Sequence, residues 1–199
     1  MALHVYNTAT RSLEPFTPLE EGKATVYACG PTIYNHAHIG NFRTFLFFDI
    51  VHRHLEWSGL DVRFVMNLTD VGHMTEDDVA DGAGEDKMQV AGQRLAAAKK
   101  SGKLPPGAGV DLDPSDPYQI AQFYIDAFIE DAKLLGVKVA EEYPGQMPRA
   151  TAHVQGMQEM TQTLIDKGHA YESQGHVLFA VESMEHYGEL SGRSLDDML

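Results

Sequence analysis

The chain reads Cys29-Gly30-Pro31-Thr32-Ile33-Tyr34-Asn35-His36-Ala37-His38-Ile39-Gly40-Asn41 between a short and a long stretch of apolar residues. Residues 24–29 are rich in aromatic and β-branched side chains and predict a strand, whereas residues 39–57 predict a largely buried helix. A strand that passes through a Gly/Pro turn into a helix directs unpaired N–H groups and the positive end of the helix dipole at one point. This stretch therefore predicts an anion site, and we interpret it as a site for a nucleoside triphosphate.

The helix is predicted to connect two parallel strands, because a second apolar run follows at Val62 to Met66. That run ends in the polar residues Asn67-Leu68-Thr69-Asp70. The carboxyl ends of parallel strands share one edge of the sheet, which is where open α/β sheets bind ligands. Two interpretations of this polar run stay open: groups that hold an amino-acid ammonium or a ribose, and an ordinary turn at a strand end.

The remaining elements follow from periodicity and from helix-capping and turn residues. We predict a strand at 3–7 and a loop that contains Pro15 and Pro18. A helix follows with Met88, Ala91, Leu95 and Ala98 on one face and Glu85 and Asp86 in its first turn, and residues 103–114 are predicted to be a linker. The last predicted elements are a helix capped by Ser115 that ends at Gly136, a helix at 151–166, and a hairpin formed by 170–172 and 176–181. The predicted domains are residues 1–114 and residues 115–199.

Charge and composition indicate which classes of protein this chain can belong to. The chain has 199 residues and a net charge of −14, of which residues 1–60, 61–114 and 115–199 carry −1, −4 and −9. An acidic C-terminal part is a poor surface for a polyanion, so charge alone does not predict a nucleic-acid-binding protein. No apolar run is long enough to span a bilayer and no signal peptide is recognisable, so we expect a cytoplasmic protein without membrane association.

The single cysteine has two possible roles. Cys29 is either a small buried hydrophobe or a functional thiolate, and it excludes an internal disulfide. A zinc ion needs about four ligands, and the spacing of the histidines supplies no obvious set. His38 and Gly40 also allow two interpretations: an ordinary helix cap, or a phosphate site in which His38 donates a hydrogen bond as charge develops.

Taken together, these motifs resemble the class I cysteinyl-tRNA synthetases over nearly the whole chain. Similar segments are Val5-Tyr6-Asn7-Thr8 with Arg11, Cys29 to Tyr34, His38-Ile39-Gly40-Asn41 followed by Arg43-Thr44-Phe45, Asn67 to Asp70, Pro148-Arg149-Ala150-Thr151, Gly168-His169-Ala170-Tyr171 and Tyr187-Gly188-Glu189-Leu190-Ser191. The resemblance implies an α/β fold: the first half of a Rossmann-like, HUP-type parallel sheet in residues 1–114, and an α+β connective-peptide insertion in residues 115–199.

The resemblance also implies a function and a set of site residues. The protein would activate L-cysteine with ATP and Mg²⁺ as cysteinyl-adenylate and transfer it to tRNA-Cys. The implied roles are catalysis for His38 and Asn41, ATP binding for Pro31, Thr32, His38, Gly40 and Asn41, cysteine binding for Gly30 and Thr69, and one Zn²⁺ ligand for Cys29. Zinc prefers soft sulfur and would select the thiol of cysteine.

The sequence departs from the family pattern in three places. An acidic pair and a lysine usually follow the Asn-x-Thr-Asp motif directly, but here Asp86-Lys87 comes later; Ala152 replaces a glutamate, and His176 and Ala180 replace hairpin acids. We expect an N-terminal portion that is inactive alone, because further zinc ligands and the lysine-rich loop lie outside this sequence. The alternatives are a ligase that joins cysteine to a small amine, as in mycothiol assembly, and a truncated nucleotide-binding paralogue.

Overall fold

The computed structural model describes residues 3–71 and 87–192, which form short strands and helices. The strands are β1 (His4–Asn7), β2 (Ser12–Pro15), β3 (Lys23–Ala28), β4 (Asp61–Met66), β5 (Ala170–Ser173) and β6 (His176–Phe179). The helices are α1 (Ile39–Trp57), α2 (Lys87–Lys100), α3 (Pro117–Leu134), α4 (Lys138–Glu141) and α5 (Val154–Asp166), with 3₁₀ turns at Thr151–His153 and Val181–Ser183.

The predicted parallel pair is confirmed: β3 and β4 pair in parallel, with α1 as their connection, and α1 has the predicted bounds. A further segment, residues 146–150, runs along the opposite edge of β4. The N–H of Met66 donates to the carbonyl of Gln146 at 3.0 Å, and that of Leu68 donates to the carbonyl of Pro148 at 2.8 Å. The N–H of Ala150 in turn donates to the carbonyl of Leu68 at 3.0 Å. The strand β4 therefore has neighbours on both sides.

The core beneath this sheet joins helices from both sides of the predicted domain boundary. Phe128 of α3 stacks on Phe42 with ring centroids 5.7 Å apart and meets Phe45 edge-on at 5.3 Å. The helix α2 also packs against α3. Residues 20–152 accordingly form one compact unit, and residues 1–19 with 153–199 form another. This division differs from the predicted boundary after residue 114, because α3 and α4 complete the core of the unit that contains the parallel sheet.

The predicted cap of α3 is wrong by one residue. Asp116, not Ser115, is the N-cap, and its Oδ1 accepts a hydrogen bond from the N–H of Tyr118 at 2.9 Å. The Ser115 hydroxyl instead donates to Oδ1 of Asp113 at 2.7 Å. Because Pro117 takes the first helical position, the residue immediately before it must be the cap.

The other unit contains two antiparallel hairpins. In β1–β2, His4 lies opposite Pro15 and Asn7 opposite Ser12. The strand β2 was not predicted, because Pro15 suggested a loop; a proline is tolerated at the exposed end of an edge strand. The second hairpin is the predicted one, and it is confirmed as β5–β6. The predicted helix at 151–166 is also present as α5, although its first residues, Thr151–His153, form a 3₁₀ turn.

The predicted helix around Met88 is confirmed as α2, which buries Met88, Ala91 and Leu95. The predicted position of Glu85 and Asp86 in its first turn lies outside the described residues. In the parts of the chain that the structure describes, no helix has the length and apolarity needed to cross a bilayer.

Candidate functional site

A pocket of about 410 Å³ opens beyond the carboxyl end of β3. Its volume is within the range of small-molecule sites. Seven of the eight predicted site residues line it: Cys29, Gly30, Pro31, Thr32, His38, Gly40 and Asn41. Phe45 and Phe48 of α1 and Phe128 of α3 add apolar surface to its wall. The strand end and the helix start, which the sequence predicted to meet, therefore share one cavity.

The start of α1 is held by a reciprocal cap between His38 and Asn41. The N–H of Gly40 donates to Nδ1 of His38 at 3.0 Å, and the N–H of His38 donates to Oδ1 of Asn41 at 3.0 Å. A neutral imidazole that accepts through Nδ1 carries its hydrogen on Nε2 and donates from there. A Cβ on Gly40 would lie 2.8 Å from Cε1 of His38, so the glycine permits this close approach.

The pocket has the electrostatics of an anion site. The first turn of α1 contains no acidic residue, and none of the described residues that line the pocket is Asp or Glu. The positive end of the helix dipole is therefore not neutralised by a carboxylate in that turn. Nζ of Lys87 lies 5.5 Å from the ring centre of Tyr34, a lining residue. The sequence analysis gave this lysine no role, and the structure places it against a residue of the pocket wall.

Polar groups at the end of β4 are tied to the turn that follows β3. Oδ1 of Asn67 accepts from the N–H of Gly30 at 2.9 Å, and Nδ2 of Asn67 donates to Oγ1 of Thr69 at 3.0 Å. The N–H of Thr69 donates to the carbonyl of Pro31 at 3.1 Å. Thr69, the eighth predicted site residue, is thus attached to the pocket wall by its main chain, although it is not among the lining residues.

Asp70 has a structural task. The residue is 8% exposed, and its carboxylate accepts from both the N–H and the hydroxyl of Thr151, at 2.9 and 2.6 Å. These bonds join the end of β4 to the end of segment 146–150. The Asn67 to Asp70 run is extended and not a turn, since Leu68 and Thr69 form parallel bridges, and the carboxylate of Asp70 is engaged within the fold.

Cys29 is exposed, so the interpretation as a buried hydrophobe is wrong. Its Sγ lies at the pocket wall, 3.9 Å from the carbonyl oxygen of Gly30. Within residues 3–71 and 87–192, no group of three or more His, Cys, Asp or Glu side chains is arranged to hold a metal ion. This part of the chain therefore offers zinc one soft donor, which is fewer than the four ligands a zinc site needs.

His36, which lines the pocket, packs against two aromatic rings of α3. His36 meets the rings of Phe123 and Tyr124 edge-on, with centroids 5.6 and 5.3 Å apart. Burial raises the pKa of the Tyr124 phenol above its ordinary value, so it is neutral at physiological pH. The sequence analysis identified the loop but not this packing, since Phe123 and Tyr124 lie in a distant helix.

Residues 15–199 match the family model described as the class I (C) tRNA synthetase catalytic domain. The chain belongs to this family. Its curated relatives include proteins named cysteine–tRNA ligase from Chlorobaculum tepidum, 42% identical over all of this chain and 36% of that protein, and from Chlorobium chlorochromatii, 41% identical with the same coverage. A third, from Salinibacter ruber, is 43% identical over 96% of this chain and 33% of that protein.

The chain thus spans about a third of the length of the synthetase relatives it matches. The match confirms the predicted fold class, and it agrees with an N-terminal portion of the synthetase catalytic domain. The family match includes both the pocket at the end of β3 and segment 146–150.

Proposed function

We propose that this chain forms the first part of the active site of a cysteine–tRNA ligase, which activates L-cysteine with ATP and transfers it to tRNA-Cys. The observation that carries the proposal is that the exposed Cys29 thiol and the His38–Asn41 cap line one pocket. A cysteine that could ligate a thiol-selective zinc ion and a helix start that could bind an anion would be the two halves of a site that joins cysteine to a nucleotide. The names of the relatives support the same assignment.

The ATP half is assigned to the turn and the helix start. The proposed ATP-binding residues are Pro31, Thr32, His38, Gly40 and Asn41. In the reaction, a carboxylate oxygen of cysteine bonds to the α-phosphorus of ATP, the bond to the β-phosphate oxygen breaks, and pyrophosphate leaves. The Nε2–H of His38 would donate to the oxygen on which negative charge develops, and α1 would contribute its dipole. Asn41 would act in catalysis by holding His38, and Mg²⁺ would accompany the triphosphate.

The cysteine half is assigned to Gly30, Thr69 and Cys29. Gly30 and Thr69 would contact the amino acid, and Cys29 would be one ligand of a zinc ion whose other ligands come from outside the described residues. Zinc, when bound, would supply selectivity for the substrate thiolate over a hydroxyl. No described side chain blocks the Cys29 thiol, since this residue is exposed.

The remaining parts of the proposal concern partners and location. Binding of tRNA-Cys would rest mainly on other regions of the polypeptide, because this sequence carries a net charge of −14. A tRNA-charging role would place the protein in the cytoplasm, without membrane association.

The test is cysteine-dependent exchange of pyrophosphate into ATP, measured on the complete natural polypeptide that carries this sequence. We expect exchange with cysteine, at least about a hundredfold less with serine, and loss of both exchange and bound zinc in Cys29→Ser. The Cys29→Ser protein should unfold like the zinc-free wild type, because the thiol is exposed. Exchange that does not depend on cysteine would refute the proposal, and transfer of cysteine to a small amine but not to tRNA-Cys would favour the mycothiol-type alternative.

A further inference from the structure

We infer that Asn67 is a positioning residue of the cysteine site, which orients both Gly30 and Thr69 through its side-chain amide. That the bound molecule is cysteine rests on the proposed function, whereas the hydrogen bonds of Asn67 are independent of that proposal. Asn67 is half-buried at the end of β4, and its amide lies between two residues that belong to different strand ends.

The two halves of the amide have different partners. A main-chain N–H can only donate, so the Gly30 N–H requires the oxygen of Asn67, at 2.9 Å. The amide nitrogen can only donate, so it fixes Oγ1 of Thr69 as an acceptor at 3.0 Å. A hydroxyl that accepts from Asn67 must direct its own hydrogen toward a different group. One side chain therefore sets both the position of the Gly30 main chain and the direction of the Thr69 hydroxyl.

The strand ends also leave little freedom around this amide. A Cβ on Gly30 would lie 1.8 Å from the carbonyl oxygen of Asn67, so the two main chains are in close contact here. Thr32 and Thr69 are paired residues on the same two strand extensions. A change in the Asn67 side chain should therefore act locally, on the direction of polar groups, while the main-chain pairing keeps the strands together.

The sequence carries a signal for this role. Asn67 and Thr69 are two residues apart on an extended segment, so their side chains emerge on the same face. Asn is the smallest side chain that offers both a hydrogen-bond acceptor and a donor in one planar group. Asp at this position would keep the bond from Gly30, but a carboxylate cannot donate, so the Thr69 hydroxyl would have to turn its hydrogen toward it.

The kinetic test uses Asn67→Ala in the complete polypeptide, with pyrophosphate exchange as the assay. Loss of the two hydrogen bonds should raise the KM for cysteine about tenfold, while the KM for ATP should stay within about twofold of the wild type. A Thr69→Val variant and the double variant complete a cycle, and the loss in the double variant should be smaller than the product of the single losses. A cysteine KM within twofold of the wild type, or an equal rise in both KM values, would overturn the inference.

The second readout is hydrogen–deuterium exchange of the peptide that contains Gly30, which requires no activity. Exchange should be faster in Asn67→Ala and close to wild type in Asn67→Asp, which keeps the acceptor. If the wild type shows no cysteine-dependent activity, the proposed function fails, but this measurement still decides whether Asn67 holds Gly30. Unchanged exchange in both variants would refute the positioning role.

Asn7 provides a matched control. Its side chain also joins a main-chain N–H to a side-chain oxygen, since it accepts from Ala9 and donates to Glu14, both at 3.0 Å. Asn7→Ala removes the same chemical groups from the β1–β2 hairpin and should leave both KM values and the exchange at Gly30 unchanged. A cysteine KM raised equally in Asn7→Ala and Asn67→Ala would refute a specific role for Asn67.

Discussion

Gly30→Ala should strongly destabilise the unit formed by residues 20–152, because the strand ends leave no room for a methyl group. The added Cβ would lie 1.8 Å from the carbonyl oxygen of Asn67 and 2.8 Å from Cγ of Met66. Ordinary contacts begin at 3.4 Å. The first contact is with main chain, so a side-chain rotation cannot relieve it, and the turn after β3 must move away from β4.

The size of the effect follows from the interactions that this movement breaks. Overpacking in a core typically costs about 1–3 kcal/mol, and the displaced Gly30 N–H would also lose its 2.9 Å hydrogen bond to Asn67, worth about 1 kcal/mol. We expect the free energy of unfolding to fall by about 2–4 kcal/mol. The assay is urea unfolding followed by circular dichroism, with the midpoint and the slope fitted separately.

Gly109→Ala is the matched control in the same unit. A Cβ at Gly109 would have the N–H nitrogen of Asp111, at 4.0 Å, as its nearest neighbour. This variant should unfold within about 0.5 kcal/mol of the wild type. A Gly30→Ala protein as stable as Gly109→Ala would refute this prediction, since it would mean that the ends of β3 and β4 can move apart without lowering the free energy of unfolding.

Two further predictions concern the helices. Asp116→Ala should lower the free energy of unfolding by about 0.5–2 kcal/mol and Ser115→Ala by clearly less, because only Asp116 caps α3; equal losses in denaturant unfolding would contradict this assignment. His52 is 2% exposed and stacks on Phe64, and burial lowers its pKa from the ordinary 6.5, against the opposing effect of Glu56. The unfolded chain then binds the proton more tightly than the folded chain, so stability should fall as the pH drops from about 7 through 6.5 toward the lower folded-state pKa. In His52→Phe this loss should be smaller when unfolding is measured across that pH range, and an unchanged pH dependence would exclude His52 as its source.

The sequence allowed accurate prediction of elements whose signals are local. The bounds of α1 follow from a cap, a long apolar pattern and a glycine beyond its end, all within residues 38–59. Segment 146–150 was not predicted as part of the sheet, because it contains a proline and its bonds to β4 join residues about 80 positions apart. The strand β2 and the cap at Asp116 were missed for local reasons: Pro15 and Ser115 each had a more usual interpretation.

In the candidate site, too, local sequence predicted some features, whereas others depend on the packing of distant elements. Its motif residues were predictable, because a strand end and a helix start on either side of a short turn must come together. The exposure of Cys29 and the position of Lys87 beside Tyr34 depend on how distant elements pack, and no local pattern encodes either. The roles of Asn67 and Asp70 differ although they are three residues apart. Asn67 bonds toward β3 and Asp70 toward segment 146–150, on opposite sides of β4.

Asn41 shows how the start of α1 balances stability against binding. A capping box usually has Glu or Gln at this position, and an acid there would interact favourably with the helix dipole by about 0.3–1 kcal/mol. Asn41 accepts the His38 N–H without a charge, so no carboxylate in the first turn neutralises the positive end of α1. Asn41→Asp should therefore keep the cap and raise the free energy of unfolding by that amount. The same variant should weaken ATP binding about tenfold in calorimetric titration, since a carboxylate beside the proposed phosphate site repels the triphosphate. A variant that gains stability and binds ATP as tightly as the wild type would show that the phosphates lie elsewhere.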